Sequence, residues 1–396
     1  MLRVLTLSTL FPHSGRPDFG VFVERQTREL ARRSDVELEV VAGIGRPPWP
    51  IALSPRWLHL RGLAESEEWK GLRVHRPRFR SLPGLPARSA KALAGAALPF
   101  ARSFGPDVID AQFFWPDGVA AMHLARRLGV PFSIKGRGSD IHFWGGREGI
   151  AAQMLEAARE AAGILAVSED LKRAMVAIGM PAEKIAVHYT GVDLDRFAPL
   201  DRAEAKAKLG IEGPLIVSAG ALIPLKGQRL ALDALARLPE ATLILVGDGP
   251  DRAALERAAR AAGVAQRTRF AGTVPHEEVP ALLAAADATV LASEREGLAN
   301  AWVESLACGT PVVITNVGGA REVVDRPEAG RIVERSAAAL AEGLRSLLAD
   351  RPEQAAVRRS AERFSWARNG EELFGHLLEA SRKGHQGGDD PAFLVA

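Results

Sequence analysis

A single cysteine, Cys308, stands in 396 residues, which excludes an intrachain disulfide scaffold and suits a reducing cytosol. It lies in an apolar helical pattern, where a lone thiol reads as a small core residue. Charge of one sign is equally scarce. The 51 Lys and Arg against 48 Asp and Glu leave a formal net charge of +3, too weak to argue for a nucleic-acid partner. No uninterrupted apolar run of about 20 residues occurs, so no membrane span is expected. The stretch MLRVLTLSTLFP lacks the length and cleavage pattern of a secretory signal. No G-x-G-x-x-G run follows the first apolar strand pattern, which argues against a nicotinamide-dependent dehydrogenase.

What the chain does contain is a soluble enzyme's composition, 47% apolar and 25% charged. Its length predicts roughly two or three domains of about 100–200 residues. Short β-rich runs alternate with longer Ala/Leu/Arg-rich helical patterns, the mark of βα units and parallel sheets. Strands are predicted at 3–8, 37–42, 107–112, 131–136, 163–168 and 184–189, and again at 214–220, 241–247, 268–272, 288–293 and 310–315. Helical patterns such as 23–33 and 251–263 separate them. The stretch 191–210, with Pro199 and a fresh helix start, marks a break between domains 1–198 and 199–365. A last helix, about 366–383, is expected to return to the first domain, ahead of a disordered polar tail, 384–396. From Arg46 to Arg102 there are eleven Lys/Arg against three Asp/Glu. That bias is either a solvated Arg-rich face or a surface for anionic membrane or phosphate.

The most informative stretch is EREGLANAWVESLACGTPVV, 294–313. It follows a buried strand pattern and carries Glu296 and Glu304 eight positions apart. Glu296 is expected at a strand-to-helix turn and Glu304 about two turns into the helix, on nearly the same face. A helix N-terminus there offers unpaired N–H groups to phosphate or hydroxyl oxygens. Read alone, the two acids could equally be ordinary solvated helix residues.

Six further motifs in order place this stretch in context. EGLANAWVE with ACGTPVV resembles the E-x7-E signature of the retaining GT-B glycosyltransferases of family 4. SAGALIPLKG (218–227) is similar to that family's phosphate loop, and LVGDGP (245–250), FAGTVPHEEVPALLAAADATVLAS (270–293) and NVGGAREVV (316–324) fall in family order. HYTGVDLDRF (188–197) resembles its interdomain motif and FPHSGRPDFGVFVERQ (11–26) its first glycine loop. The resemblance implies an α/β, GT-B fold of two facing, doubly wound Rossmann-like domains with an interdomain cleft. It implies transfer of a sugar from a nucleotide-diphosphate sugar to a hydroxyl acceptor, a glycan or lipid-linked glycan of envelope or exopolysaccharide biosynthesis. It implies a cytoplasmic enzyme, peripheral on the inner membrane face, with no cofactor, no metal and no nucleic acid.

By the same resemblance Glu296 holds a sugar hydroxyl near the reacting carbon and Lys226 counters the diphosphate. Glu304 accepts from the ribose hydroxyls. The backbone of Gly297, Leu298, Ala299 and Asn300 donates to sugar or phosphate oxygens, Val274 touches the base, and Gly20 passes close to the diphosphate. Arg137 and Asp140, in GRGSDIH, are candidate sugar or acceptor contacts; Asp140 could instead cap the following turn. FFWPDG (113–118) is either part of an acceptor wall or core and turn.

Two departures stand out. Ala221 occupies the place of the family's usual arginine after Gly220, with Arg137 or Arg295 as candidate substitutes, and Arg137 replaces a frequent histidine. An arginine there cannot act as a base. The Asp-x-Asp at 193–195 imitates a metal motif of a different transferase fold, and Asp389 and Asp390 lie in the tail. A sugar-nucleotide epimerase or hydrolase, and an inactive sugar-nucleotide or glycan binder, are the rival readings.

Overall fold

The computed structural model describes residues 1–17, 19–49, 51, 57, 59–81 and 86–386. It resolves into two compact units, Met1–Gly191 joined by the helix Trp366–Gln386, and Val192–Ser365. The sequence-based tail begins at 384, but the helix continues to Gln386; positions 387–396, with Asp389 and Asp390, lie outside the described residues.

The first unit is built on β1 (Leu2–Leu7), β2 (Val36–Val41), β3 (Ile44–Arg46), β4 (Ser66–Trp69), β5 (Leu72–His75), β6 (Arg78–Arg80), β7 (Val108–Ala111), β8 (Phe132–Gly136), β9 (Gly163–Ala166) and β10 (Ile185–Val187). Eight of these form one sheet in the order β10-β9-β8-β7-β1-β2-β5-β4, parallel except for the edge strand β4; β3 and β6 make a separate parallel pair. The central strands β7, β8 and β9 are buried at every position, because helices cover both faces of a parallel sheet. That continuous burial makes their apolar runs legible. The sequence reading missed β3 to β6: each has three or four residues, and β4 (SEEW) is a polar edge with no apolar run to signal it.

The helix Trp366–Gln386 belongs to this unit. Leu373, Leu377 and Ala380, spaced to share one helical face, are buried against Leu2, Val4, Leu30 and Val108.

The second unit carries β11 (Leu215–Ala219), β12 (Thr242–Val246), β13 (Thr268–Gly272), β14 (Ala288–Leu291), β15 (Val312–Thr315) and β16 (Gly330–Val333). All pairs are parallel, in the order β13-β12-β11-β14-β15-β16, a doubly wound Rossmann-like sheet. Its core joins Leu243, Leu245 and Val290 to Leu232, Leu235, Leu340 and Leu344 of the flanking helices. β16 was not predicted; it is a four-residue edge strand beginning at Gly330. The chain enters and leaves this unit side by side, with Val192 N donating to Phe364 O at 2.6 Å.

One buried carboxylate fastens the start of this sheet. Asp287, 1% exposed, accepts from Leu215 N at 2.7 Å and pairs with Lys206 Nζ at 2.5 Å and Arg351 Nη1 at 3.1 Å. Removing one partner of a buried ion pair strands the others and typically costs about 3–5 kcal/mol. Asp287→Ala should therefore lower unfolding stability by about that amount in a denaturant titration; a loss under about 1 kcal/mol would contradict this role.

Candidate active site

In the second unit the strand order changes direction between β11 and β14, and open α/β sheets bind ligands outside the carboxyl ends of strands at such a point. The loops leaving these two strands converge there. After β11, a short turn Pro224–Lys226 ends at Gly227, whose φ of 70° is left-handed. A Cβ at Gly227 would lie 2.2 Å from Ala292 O, so only glycine lets this loop press against the end of β14. Glu294 N donates to Leu225 O at 2.8 Å and fastens the two loops together.

This convergence brings Lys226 Nζ to 2.6 Å from Glu296 Oε1, and Ser293 Oγ donates to the same oxygen at 2.7 Å. The side chains are 22% and 10% exposed, shielded but open to a ligand. Sequence reasoning gave the lysine and the glutamate separate partners; in the free protein they hold each other. Ser293, missed by the sequence reading, ends the quoted run ATVLAS, and its own carbonyl accepts from Thr315 Oγ1 at 2.5 Å.

The glutamates do not share a helix. The helix begins at Asn300, so Glu296 lies in the preceding loop and Glu304 only about one turn in. The loop's small residues set its path: Gly319 N donates to Gly297 O at 2.8 Å, and a Cβ on Gly318 (φ 52°) would come within 2.5 Å of the carbonyls of Glu296 and Gly297. Leu298 and Ala299 are buried, Gly297 is half-buried and Asn300 exposed. No side chain caps the helix at Ala299, which leaves backbone N–H groups of the first turn for an oxyanion. Glu304 Oε1 lies 3.3 Å from His276 Nε2, whose ring meets Phe197 edge-on at 5.4 Å. His276 was not singled out in the sequence, although it stands two residues after Val274, itself half-buried beyond β13. Ala221 is exposed and its carbonyl accepts from Gln228 Nε2 at 2.9 Å; Arg295 is exposed.

In the first unit, Gly20 opens the helix Val21–Ala31 at φ 71°, and a Cβ there would lie 2.3 Å from Leu10 O. Arg137 follows β8. Its Nε donates to Gln112 O at 2.9 Å, one Nη donates to Gln112 Oε1, and the guanidinium lies 4.7 Å from the centre of the Phe22 ring. Burial lowers its pKa to about 10 against the pull of Asp110, Asp140 and Asp117. Asp140 is the turn cap of the two alternatives: fully buried, it accepts from the backbone N of Arg137 (3.0 Å), Gly138 (2.8 Å), Ile141 (3.1 Å) and Phe114 (2.9 Å). In FFWPDG, Phe113, Phe114 and Trp115 are buried in the core, and Pro116 is half-buried and lines a cavity at the carboxyl ends of the strands. Asp193, of the apparent metal motif, caps Arg196 N at 3.1 Å.

Behind Arg137 runs a buried polar chain that sequence reasoning missed. Lys135 Nζ, at 0% exposure, contacts Gln26 Oε1 at 2.8 Å and His188 Nδ1 at 2.9 Å. His188 Nε2 reaches Asn369 O at 2.9 Å, which fixes Nε2–H as donor and leaves Nδ1 to accept from the lysine. Burial holds Lys135 well below the usual lysine range. Burial also raises Asp110 to about 6 and Asp117, which accepts from Thr9 N at 2.9 Å, to about 7.

Comparison with known proteins agrees with this architecture. The family model described as "Glycosyltransferase Family 4" matches residues 20–196, and "Glycosyl transferases group 1" matches residues 201–364. The chain is 29% identical, over 87% of its length and 88% of the relative's, to the putative teichuronic acid biosynthesis glycosyltransferase TuaC of Bacillus subtilis. It is 35% identical to a GDP-mannose-dependent alpha-(1-6)-phosphatidylinositol monomannoside mannosyltransferase of Mycolicibacterium smegmatis, over 50% of this chain and 56% of that one. Among solved structures, Anabaena HepE in complex with UDP superposes with a TM-score of 0.74 at 22% identity, covering 95% of this chain and 100% of the other.

Two outcomes follow from this geometry. Gly318→Ala should displace the Glu296–Gly297 loop and lower kcat/KM by about 10²-fold with the fold intact by circular dichroism; unchanged kcat/KM would show that the loop tolerates the shift. Asp117→Asn tests the buried carboxyl. Between about pH 4 and 7 the folded wild type holds a proton that the unfolded chain releases, so this group's contribution falls as pH rises and is level above pH 7. The variant should gain stability relative to wild type across that window, by at most about 4 kcal/mol; a pH-independent difference in urea midpoints would contradict it.

Proposed function

This chain belongs to the family 4, group 1 glycosyltransferases, and on that premise we propose that it is a retaining enzyme that moves a sugar from a nucleoside-diphosphate sugar to a hydroxyl acceptor without a metal. The observation that carries this reading is the Lys226–Glu296 pair at the switch point of the second sheet. A diphosphate entering there competes with Glu296 for the lysine. At about 4 Å and an effective dielectric of about 20, one such charge pair has a Coulomb energy of roughly 4 kcal/mol before desolvation. Lys226 then faces the phosphate, assisted by the uncapped N–H groups of the helix Asn300–Ala307.

Glu296, released from the lysine but still held by Ser293, accepts from a sugar hydroxyl. Glu304, steadied by His276, accepts from the ribose hydroxyls. In the chemical step the bond from the anomeric carbon to the phosphate oxygen breaks, and its electron pair stays on the phosphate. The acceptor oxygen bonds to that carbon from the same face, and its proton passes to the departing phosphate oxygen. Negative charge on the phosphate grows along this path, so a fixed cation stabilises the transition state more than the ground state. No protein base is required.

The acceptor is proposed to be a glycan or lipid-linked glycan of the cell envelope. The relative matched along most of its length is named for teichuronic acid biosynthesis, and another for a phosphatidylinositol mannoside. Contact with an anionic membrane face rests on the basic bias of residues 46–102 alone, and some of those cations are engaged internally: Arg76 pairs with Glu67, and Arg78 donates to the carbonyls of Arg61 and Leu63. No helix among the described residues is long and apolar enough to cross a membrane.

Glu296→Ala should reduce transfer by at least about 10²-fold while nucleotide affinity, followed by thermal shift, changes only a few-fold. Near-normal turnover in that variant would count against the assignment. Release of free sugar from donor alone, at the rate of transfer, would favour a hydrolase.

A further inference from the structure

The buried chain behind Arg137 takes no part in the proposed bond exchange, yet its hydrogen bonds can run in only one direction. It starts at the C-terminal helix. Asn369 O can only accept, so His188 carries its proton on Nε2 and turns a bare Nδ1 to Lys135. Lys135 donates to that nitrogen, and Gln26 meets the same amine with its oxygen, at 2.8 Å. This places Gln26 Nε2 on the far side, where it donates to Gln112 Oε1 at 2.8 Å. Gln112 Nε2 is left to donate to Asp110 Oδ2. His188, Lys135, Gln26, Gln112 and Asp110 are all buried. A flipped amide anywhere along the chain would set donor against donor or acceptor against acceptor and leave buried groups unpaired.

Gln112 is where this chain meets Arg137. Its backbone oxygen accepts from Arg137 Nε at 2.9 Å and its side-chain oxygen accepts from one Nη, so a single residue grips two of the three guanidinium nitrogens. Gln26 Oε1 lies 3.5 Å from the same Nη, and the Phe22 ring lies against the guanidinium. Among the described residues no hydrogen bond is made by the other Nη, which leaves that edge for a substrate oxygen. A guanidinium held this way loses little rotamer freedom on binding. We propose that Gln112 is a positioning residue for Arg137, and that the chain from Asn369 through His188, Lys135 and Gln26 fixes the direction in which its amide faces. The proposal rests on Arg137 being a substrate contact in the transferase reading, and adds how that contact is aimed. Lys135 sets the polarity, because both of its partners meet it with acceptors.

The positioning can be read by NMR without substrate, on the full chain with isotope-labelled arginine. The Arg137 guanidinium, identified by its loss in Arg137→Ala, should rotate slowly and give separate Nη signals. Gln112→Leu removes the side-chain acceptor and keeps the backbone one; it should merge those signals with the fold intact by circular dichroism. Lys135→Met should speed the rotation less, because Asp110 still holds the Gln112 amide. In transfer assays Gln112→Leu should lower kcat/KM about tenfold, the scale of one hydrogen bond to a charged group. In an Arg137→Ala background the same substitution should cost nothing further. If Gln112→Leu does not fold, Lys135→Met carries both measurements. Free rotation of the Arg137 guanidinium in the wild type, or signals unmoved in both variants, would overturn the proposal. So would an equal loss of kcat/KM with and without Arg137, which would make Gln112 a support of the fold alone. Normal kcat/KM in Arg137→Ala would overturn it too, since nothing would then be aimed. Absence of transfer by the wild type with every nucleoside-diphosphate sugar would instead count against the wider reading, while the guanidinium signals still decide whether Gln112 holds Arg137.

Discussion

The 2.6 Å contact between Lys226 and Glu296 is the constraint on which the function proposed for the second unit turns. A lysine at the mouth of a parallel sheet would be a mobile, hydrated charge. Here a carboxylate, itself fixed by Ser293, holds it at the site with its charge balanced. In the proposed function a donor diphosphate need only replace one anion by another, so little reorganisation would accompany binding. On that proposal the same exchange would free the glutamate for a sugar hydroxyl. The glutamate is then the resting counter-ion of the lysine and the proposed substrate contact.

Backbone geometry enforces that contact. Gly227 lets the β11 loop lie against the β14 loop, and Gly318 lets the loop carrying Glu296 lie against the turn after β15. Each glycine has a left-handed φ and a neighbour that a Cβ would strike, so both the conformation and the space exclude other residues. The doubly wound strand order supplies the crevice, and the glycines bring the functional groups within reach of each other. Unit one repeats the scheme with Gly20 against Leu10, although the groups gathered there are aromatic and cationic.

Much of this was legible in the sequence because a parallel sheet buries both faces of its strands. VIDA, FSIKG and ATVL read as strands without further information, and the motif order singled out the candidate residues Lys226 and Glu296 that the structure brings together. What escaped reading had weak local signals. The strands β3 to β6 and β16 are too short or too polar to show a pattern. Lys135 hides in an apolar run, and its partners Gln26 and His188 lie 109 and 53 positions away, beyond the reach of any local spacing rule. Asp140 showed the limit of residue type as a guide: an acid in a functional-looking motif turned out to be saturated by four backbone amides. The eight-residue spacing of the glutamates suggested one helix face, but the helix starts only at Asn300.

The central claim is that Lys226 exchanges Glu296 for the donor's diphosphate. A crystal structure of the chain with a bound nucleoside diphosphate tests it most directly. The account predicts Lys226 Nζ within about 2.7–3.2 Å of a phosphate oxygen and its contact with Glu296 Oε1 broken. A diphosphate bound elsewhere, with the ion pair intact, would contradict it.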